Sequence, residues 1–415
     1  MNRARSCCRS LGYLLALSLP ALVAAEDWPQ WRGPQRTGVS AEKGLQRSWP
    51  AGGPKVLWKA KGLGGGYATP TVAGGKVYGM GFRGNNEVVW ALNENTGKEL
   101  WAVPIAAANR KVGYGEGPRC SPTVDGNRLY VEGVSGDVAC LDANNGRVIW
   151  RKNLVRDFKG SIPTWGYSES PLVDGNKVIV TPGGSEATIV ALNKSNGAVV
   201  WKARVPEGDA AHYASVVAAD IDGQRQYIQF LSGGVVGVAA DSGKFLWRYN
   251  APHNGTANCS TVIHNGNTVF AASGYGTGGG LVRITRNGDR CTAEEVYFTK
   301  KMKNHHGGMV LVDGYLYGAD EAVLTCIDFK TGEVKWQSRN PGKGSIGYAD
   351  GCLYFRNERG PIYLIEAYPE EYRELAKFDP PDQSGKDAWP HPVVANGKLF
   401  ILDQDTLVCF DVKQR

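Results

Sequence analysis

Four of the six histidines in this 415-residue chain fall in short segments that separate repeated strand patterns. His212 lies in AHY, His305 and His306 in KNHHGG, and His391 in AWPHP. A neutral imidazole can donate and accept hydrogen bonds, and it can bind a transition metal. The concentration of histidines in these segments therefore indicates a binding site.

The same separating segments carry aromatic, basic, acidic and amide side chains. These further candidates for ligand binding are Arg119, Trp165, Tyr167, Glu169, Tyr213, Asn304 and Trp389. Structural roles remain open for several of them, because histidines can cap turns, Glu169 can pair with Arg119, and the tryptophans can pack as lids. Glu169, Asn304, His305 and His391 are also suitable metal ligands in type, although their spacing matches no local metal-binding motif.

A repeat of two half-units determines where these segments lie. The first half-unit recurs as TPTVAGGKVY (69–78), SPTVDGNRLY (121–130), SPLVDGNKVIV (170–180), MVLVDGYLY (309–317), IGYADGCLYF (346–355) and HPVVANGKLFI (391–401). The second recurs as ALNENTGKELW (91–101), CLDANNGRVIW (140–150) and ALNKSNGAVVW (191–201). Alternating apolar residues around Asp-Gly or Gly-Gly pairs predict tight antiparallel hairpins. One repeat therefore predicts four short antiparallel strands, which is the composition of a β-propeller blade.

The repeats predict an all-β, eight-bladed β-propeller over residues 55–415. The blades are expected to begin near Tyr67, Cys120, Glu169, Tyr213, Asn258, His306, Ser345 and His391. The eighth repeat ends at CFDVKQR without a tryptophan-bearing strand, whereas KVLWKAKG (55–62) contains Trp58 but has no repeat of its own. We therefore predict that this N-terminal strand completes the last blade and closes the ring. The candidate residues would then meet at one mouth of the central channel, and residues 26–54 would lie across the outside or one face.

The first 25 residues have the pattern of a secretory signal peptide. They contain arginines and no acid before an apolar run, and they end in small residues at Ala24 and Ala25. Neither Cys7 nor Cys8 follows the small apolar box of a lipoprotein. We expect a periplasmic or secreted, monomeric protein without a membrane span. The basic residues are scattered, which argues against a nucleic-acid partner.

The A-L-D/N-x-x-T-G-x-x-x-W repeats resemble those of the quinoprotein-like propellers, also called pyrroloquinoline-quinone-like repeat proteins. The resemblance covers about residues 28–415, and DWPQWRGPQRTGVS (27–40) is similar to the N-terminal segment of many exported bacterial members. This family includes quinone-dependent alcohol dehydrogenases and cofactor-free proteins such as the outer-membrane-protein assembly lipoprotein.

The resemblance implies two functions of different kinds. As a dehydrogenase, the chain would hold a carboxylate of pyrroloquinoline quinone with Arg119, Ca²⁺ with Glu169 and Asn304, and the quinone plane against Trp165. The adjacent cysteines typical of these dehydrogenases occur here only in the leader, and no general base is identifiable. We therefore expect a binding or assembly-scaffold propeller whose axial mouth takes a small molecule or an envelope protein. A quinone-dependent alcohol dehydrogenase and a metal-binding propeller are the alternatives.

Overall fold

A computed structural model describes residues 26–288 and 290–414. The predicted signal peptide, residues 1–25, lies outside the described residues. The described chain forms eight antiparallel sheets of four strands, one of which gains a short fifth strand. The predicted all-β, eight-bladed propeller is therefore confirmed.

The strands follow one another as simple meanders, so that each blade uses consecutive segments of the chain. Two strands precede the first complete blade, β1 (Val39–Ser40) and β2 (Lys55–Ala60). Blade 1 comprises β3 (Thr71–Ala73), β4 (Lys76–Arg83), β5 (Asn86–Asn93) and β6 (Glu99–Ala107), and blade 2 comprises β7 (Thr123–Asp125), β8 (Arg128–Glu132), β9 (Asp137–Asp142) and β10 (Val148–Asn153). Blade 3 comprises β11 (Leu172–Asp174), β12 (Lys177–Val180), β13 (Ile189–Asn193) and β14 (Val199–Ala203). Blade 4 comprises β15 (Val217–Ile221), β16 (Gln224–Leu231), β17 (Gly234–Ala239) and β18 (Phe245–Tyr249). The helix α1 (Leu154–Phe158) connects blades 2 and 3.

Blades 5 to 8 continue the same order. Blade 5 comprises β19 (Ile263–Asn265), β20 (Thr268–Ser273), β21 (Gly278–Asn287) and β22 (Arg290–Thr299), and blade 6 comprises β23 (Met309–Val312), β24 (Tyr315–Asp320), β25 (Val323–Asp328) and β26 (Val334–Ser338). Blade 7 comprises β27 (Gly344–Ala349), β28 (Cys352–Asn357), β29 (Ile362–Glu366) and β30 (Glu374–Phe378). Blade 8 contains β31 (Val393–Ala395), β32 (Lys398–Asp403) and β33 (Thr406–Asp411). In the described residues no helix is long and apolar enough to cross a membrane.

The N-terminal strand β2 completes blade 8. It pairs antiparallel with β33, with Trp58 opposite Cys409 and Ala60 opposite Leu407. The ring is therefore closed by the segment predicted to close it. Because the two strands come from opposite ends of the chain, closing the ring ties the termini together.

In six of the eight blades an aromatic residue on the outer strand joins that blade to the next. In blade 4, Trp247 Nε1 instead donates to Gln226 Oε1 of the same blade at 2.7 Å. Trp58 Nε1 donates to the Glu94 carbonyl of blade 1 at 2.9 Å, and its ring packs against Gly97. A Cβ added to Gly97 would lie 2.4 Å from this ring, and its φ of +68° also favours glycine. Tyr297 replaces the tryptophan in blade 5 and donates to the Phe329 carbonyl at 2.9 Å. Four more tryptophans make the same contact with the following blade: Trp101 to Ala143, Trp150 to Lys194, Trp201 to Ala240, and Trp336 to Tyr368.

Residues 28–42, here called the axial plug, cross the central channel. Their partners lie in or beside the innermost strand of every blade, in ring order: Val72, Val124, Pro171, Val216, Thr261, Met309, Tyr348 and Asn396. Within the plug, β1 adds to blade 7 as a parallel fifth strand beside β27. The sequence predicted a position outside the ring or on one face, whereas contacts with all eight blades place the plug across the channel.

Candidate functional site

A cavity of about 630 Å³ opens at the end of the ring where the chain enters the innermost strands. We call it the axial cup, and all eight blades contribute to its walls. Trp31 of the axial plug also lines the cup; its Nε1 donates to Thr261 Oγ1 at 2.8 Å, and its ring centre lies 4.6 Å from that of His391. Because the plug crosses the channel, it closes the base of the cup.

The cup brings together seven of the eleven residues predicted from the sequence. They are Arg119, Trp165, Tyr213, His305, His306, Trp389 and His391. The segments preceding innermost strands converge here because every blade directs its first strand away from the same mouth. The predicted mouth thus exists as a cavity.

Aromatic rings form a continuous wall along one side of the cup. Ring centres are 5.0 Å apart between Tyr275 and His305, 5.0 Å between His305 and His306, and 5.2 Å between His306 and Trp389. Trp389 continues this series to Tyr67 at 4.6 Å. On the opposite arc, Trp165 and Tyr213 form an edge-to-face pair at 5.4 Å. The rings hold each other in fixed orientations, which makes the wall a preformed surface for stacking.

Two predicted residues, Asn304 and Tyr167, serve the framework and do not line the cup. The Asn304 side chain is fully buried; its amide donates to the carbonyls of Gly308 at 2.9 Å and Ala319 at 3.0 Å, and its oxygen accepts the Ser260 hydroxyl. The hydroxyl of Tyr167, also buried, donates to the Pro182 carbonyl. These side chains have their hydrogen-bonding partners within the protein.

His212 also lies outside the lining of the cup. It stacks behind Tyr213, with ring centres 5.4 Å apart, and its Nδ1 accepts the Asn258 backbone N–H at 3.2 Å. Its role is therefore to support the wall residue Tyr213.

Glu169 lies in the wall of the channel behind the cup. Its carboxylate accepts Thr181 N at 2.7 Å and Thr181 Oγ1 at 3.1 Å. Burial raises its pKa to about 7, although the Thr181 hydrogen bonds and the nearby Arg36 of the axial plug oppose that increase. Arg36 itself donates to the carbonyls of Ser170 and Val216. The cation beside Glu169 is thus Arg36 and not Arg119, which was the pairing considered from the sequence.

These positions do not support the predicted metal set. Glu169 and Asn304 are committed to protein partners, and in the described part of the chain no three His, Cys, Asp or Glu side chains are placed to hold a metal ion. The donors assigned to calcium beside a quinone are likewise not assembled. The cup residues therefore do not fit a calcium-bound pyrroloquinoline quinone, even though Arg119 and Trp165 do line the cavity.

The three histidines of the cup are neutral at pH 7. Burial lowers the pKa of His305 to about 4, with Lys343 adding to the effect. Burial also lowers the pKa of His391 to about 3, with a contribution from Arg32 of the plug, and holds the pKa of His306 well below its usual value. Burial raises the pKa of the Cys259 thiol to about 12, so this cysteine of the cup is not an activated nucleophile.

Two groups in the aromatic wall lack hydrogen-bond partners. Both ring nitrogens of His306 and Nε1 of Trp389 are buried and unpaired. His306 Nε2 comes within 3.4 Å of the Glu358 carboxylate without a well-directed hydrogen bond. A buried polar group left unpaired costs about 1–3 kcal/mol. Because these nitrogens are inaccessible from the cup, a ligand there would contact the rings and not the nitrogens.

Several residues of the cup were not singled out from the sequence. They are Trp31, Tyr67, Tyr114, Tyr275, Lys343, Glu358 and Asp387. Tyr114 lies in a separating segment, so its position did carry a signal. Tyr275 and Glu358 lie between the second and third strands of their blades; these connections open at the same mouth, because strands alternate in direction. Trp31 could not be placed, since no local pattern indicates that the plug crosses the channel.

The fold and this site define an eight-bladed propeller with an axial cup closed by its own N-terminal segment. A sequence profile of the family described as outer membrane protein assembly factor BamB matches residues 85–338. The chain belongs to this family, which confirms the resemblance found in the repeats.

Individual relatives are more distant. The chain is 22% identical to the outer membrane protein assembly factor BamB of Shewanella oneidensis over 66% of this chain and 71% of that protein. It is 24% identical to tetrathionate hydrolase of Acidithiobacillus ferrooxidans over 63% of this chain, but it spans only 45% of that protein. Among solved structures, quinohemoprotein alcohol dehydrogenase ADHIIG of Pseudomonas putida HK5 superposes with a TM-score of 0.64 at 13% identity, covering 94% of this chain and 80% of that one. Such a likeness establishes the fold alone.

Proposed function

We propose that this chain is an exported binding or scaffold propeller of the cell envelope, and that its axial cup is the ligand site. The observation that carries the proposal is the 630 Å³ cavity itself, whose aromatic and polar lining is contributed by all eight blades and by the axial plug. Concave sites of about 300–1,000 Å³ with an apolar lining and a few directed polar groups are typical of ligand pockets.

The envelope location is supported by family membership and by the leader pattern of residues 1–25. The matching family and its Shewanella oneidensis relative are both described as outer membrane protein assembly factors. A scaffold of this kind can bind partner proteins at its rim while the cup binds a small ligand or a short segment of a partner.

Saturation-transfer NMR on the chain beginning at residue 26 tests the proposal. The probes are a mixed set of neutral oligosaccharides, aromatic carboxylates and short peptides. We expect at least one probe to bind, and we expect its signal to be lost in Trp389→Ala and in His306→Gln. The control is His253→Gln, because His253 is exposed and does not line the cup. Binding that is equal in all three variants would place the ligand elsewhere and refute the proposal.

A further inference from the structure

The residues at the two ends of the axial plug meet at one buried carboxylate, that of Glu42. Glu42 is 5% exposed, and one of its oxygens accepts the backbone N–H groups of Glu26 at 2.9 Å and of Asn396 at 2.7 Å. The other oxygen accepts the Gly397 N–H at 3.1 Å. Because Asn396 and Gly397 form the turn between β31 and β32, this carboxylate fixes the ends of the plug to blade 8, at the end of the ring opposite the cup.

Glu26 and Asp27, which precede the plug, make further contacts. The Glu26 carboxylate accepts the N–H of Ala41, and the Asp27 carboxylate accepts the N–H of Gly74 at 3.0 Å in the equivalent turn of blade 1. Glu26 is thus held through its side chain as well as through its backbone nitrogen. That nitrogen therefore has a defined position beside Glu42.

Carboxylates outnumber cations around this contact. The Asn396 side-chain amide donates to Asp27 at 3.2 Å and to Glu94 at 3.3 Å, and Lys398 Nζ lies 2.6 Å from Glu94. The acids gathered around Lys398 are Glu26, Asp27, Glu42 and Glu94. Four negative charges against one positive charge leave an excess of three negative charges.

Among the described residues, the Glu42 carboxylate has backbone N–H partners and no side-chain cation. The neighbouring Lys43 lies 3.6 Å from Asp350, and Lys413 is exposed, with its aliphatic stem beside Gly397. Charged side chains are rarely buried without a partner of opposite charge. A positive charge at the Glu26 nitrogen would therefore give Glu42 the partner that its surroundings do not supply.

We infer that cleavage of the predicted leader creates this charge and stabilises the plug in the ring. A leader peptidase that hydrolyses the Ala25–Glu26 bond consumes one water molecule, leaves a carboxylate on Ala25 and frees the Glu26 nitrogen as an amine, which takes up the proton of the new carboxyl group. The hydrogen bond to Glu42 then becomes an ion pair in the same place, and a charge-assisted hydrogen bond is roughly twice as strong as a neutral one. The plug is therefore bound more firmly in the mature chain than in the precursor. This inference rests on the export in the proposed function but not on the cup.

Acylation of the α-amino group tests whether Glu42 pairs with it. A fusion protein cut directly before Glu26 provides the mature chain, and a chain beginning at Ala24 keeps the Glu26 amide but moves its α-amino group two residues away. A carboxylate partner raises the pKa of an ammonium group, and only the neutral amine is acylated. At pH 7 we expect acylation, followed by mass spectrometry, to be about tenfold slower in the mature chain, which corresponds to a pKa about one unit above the usual 7.7–8.0. Glu42→Gln should restore the faster rate, whereas Glu186→Gln, on an exposed loop, should not.

Urea unfolding measures what the ion pair adds to stability. Four chains are compared, namely the two starting points, each with Glu42 and with Glu42→Gln. The substitution weakens the bonds from Asn396 and Gly397 equally in both, so the difference between the two losses isolates the ion pair. At pH 7 Glu42→Gln should lower the folding equilibrium constant about tenfold more in the mature chain. Because pairing raises the folded pKa of the ammonium group, its contribution is complete below the unfolded pKa of about 7.7–8.0 and should be lost by about pH 10.

The outcomes separate this inference from the proposed function. Equal acylation rates in the two starting chains, or equal losses of stability on Glu42→Gln, would refute the ion pair. Should Glu42→Gln not fold, the comparison of the two starting points with Glu42 intact still decides. Mass spectrometry of the chain expressed with its leader in a Gram-negative bacterium should find Glu26 as the first residue. Cleavage at another bond refutes this inference alone, whereas a retained leader also refutes the proposed export.

Discussion

Glu87 on β5 is a buried carboxyl group whose ionisation opposes folding. It is fully buried; one carboxyl oxygen accepts the Val134 N–H at 3.1 Å, and the other has no partner. Burial raises its pKa to about 8, only partly offset by the Val134 hydrogen bond. The Val134 carbonyl accepts the N–H of Tyr167, so this buried group supports the segment that carries Trp165. We predict that Glu87→Gln stabilises the protein near neutral pH.

The magnitude follows from the difference between the folded and unfolded pKa values of Glu87. In the unfolded chain a glutamate ionises with a pKa of about 4.3, and each pKa unit corresponds to about 1.36 kcal/mol. At pH 7 ionisation of Glu87 therefore favours the unfolded chain by about 4 kcal/mol, relative to a side chain that stays neutral. This penalty is absent below the unfolded pKa, grows as pH rises, and levels off above the folded pKa of about 8. Glutamine is neutral and retains an oxygen for Val134 N–H, so it removes the penalty.

Urea unfolding at acidic, neutral and alkaline pH measures this effect. The free energy of unfolding of Glu87→Gln should exceed that of the unsubstituted chain by about 4 kcal/mol at pH 7 and by less than about 1 kcal/mol at pH 4. Glu186→Gln is the matched control, because Glu186 is exposed on a loop. A gain of equal size at every pH, or a loss at pH 7, would refute the assignment of Glu87 as a buried group that resists ionisation.

Three further changes test ring closure, the plug and the histidines. Trp58→Ala should cost about 3–5 kcal/mol of unfolding free energy, because it leaves a cavity at the blade 8 and blade 1 contact; a loss below about 1 kcal/mol would contradict that role. Arg36→Met removes the cation beside Glu169, so thermal unfolding should show a larger loss at pH 9, where that carboxyl is ionised, than at pH 5; equal losses would contradict the pairing. His391 has a folded pKa of about 3, and the unfolded chain takes up a proton below about pH 6.5, so stability falls as the pH drops between these values. His391→Asn should reduce this loss of stability by about 2 kcal/mol at pH 5. Melting temperatures measured over a pH series test it, and a decrease below pH 6.5 as large as that of the unsubstituted chain would contradict the prediction.

Much of the ring could be predicted from the sequence because its determinants are local. Asp-Gly and Gly-Gly turns between alternating apolar runs specify each hairpin, and the recurrence of these runs specifies the number of blades. The unpaired strand around Trp58 and the incomplete last repeat also predicted ring closure, since an exposed sheet edge favours pairing. The role of Gly97 in receiving the Trp58 ring required the structure.

The composition of the cup was only partly accessible to sequence reasoning. The repeats determined which end of each blade the separating segments occupy, and so they located His305, His306, Trp389 and Arg119 together. They could not determine the direction of each side chain. Asn304 and His305 are adjacent, yet Asn304 is buried against Gly308 and Ala319 while His305 lines the cup.

The sequence by itself therefore determined the ring, its closure and the mouth at which unusual residues gather, because turns and strand alternation act over a few residues. The tertiary structure alone decided which of those residues face the cavity, and that Trp31 and Arg36 close it from below. These outcomes depend on contacts between segments far apart in the chain, such as Trp31 with His391 and Arg36 with Glu169. No local pattern encodes such contacts, because they exist only once all eight blades surround the plug.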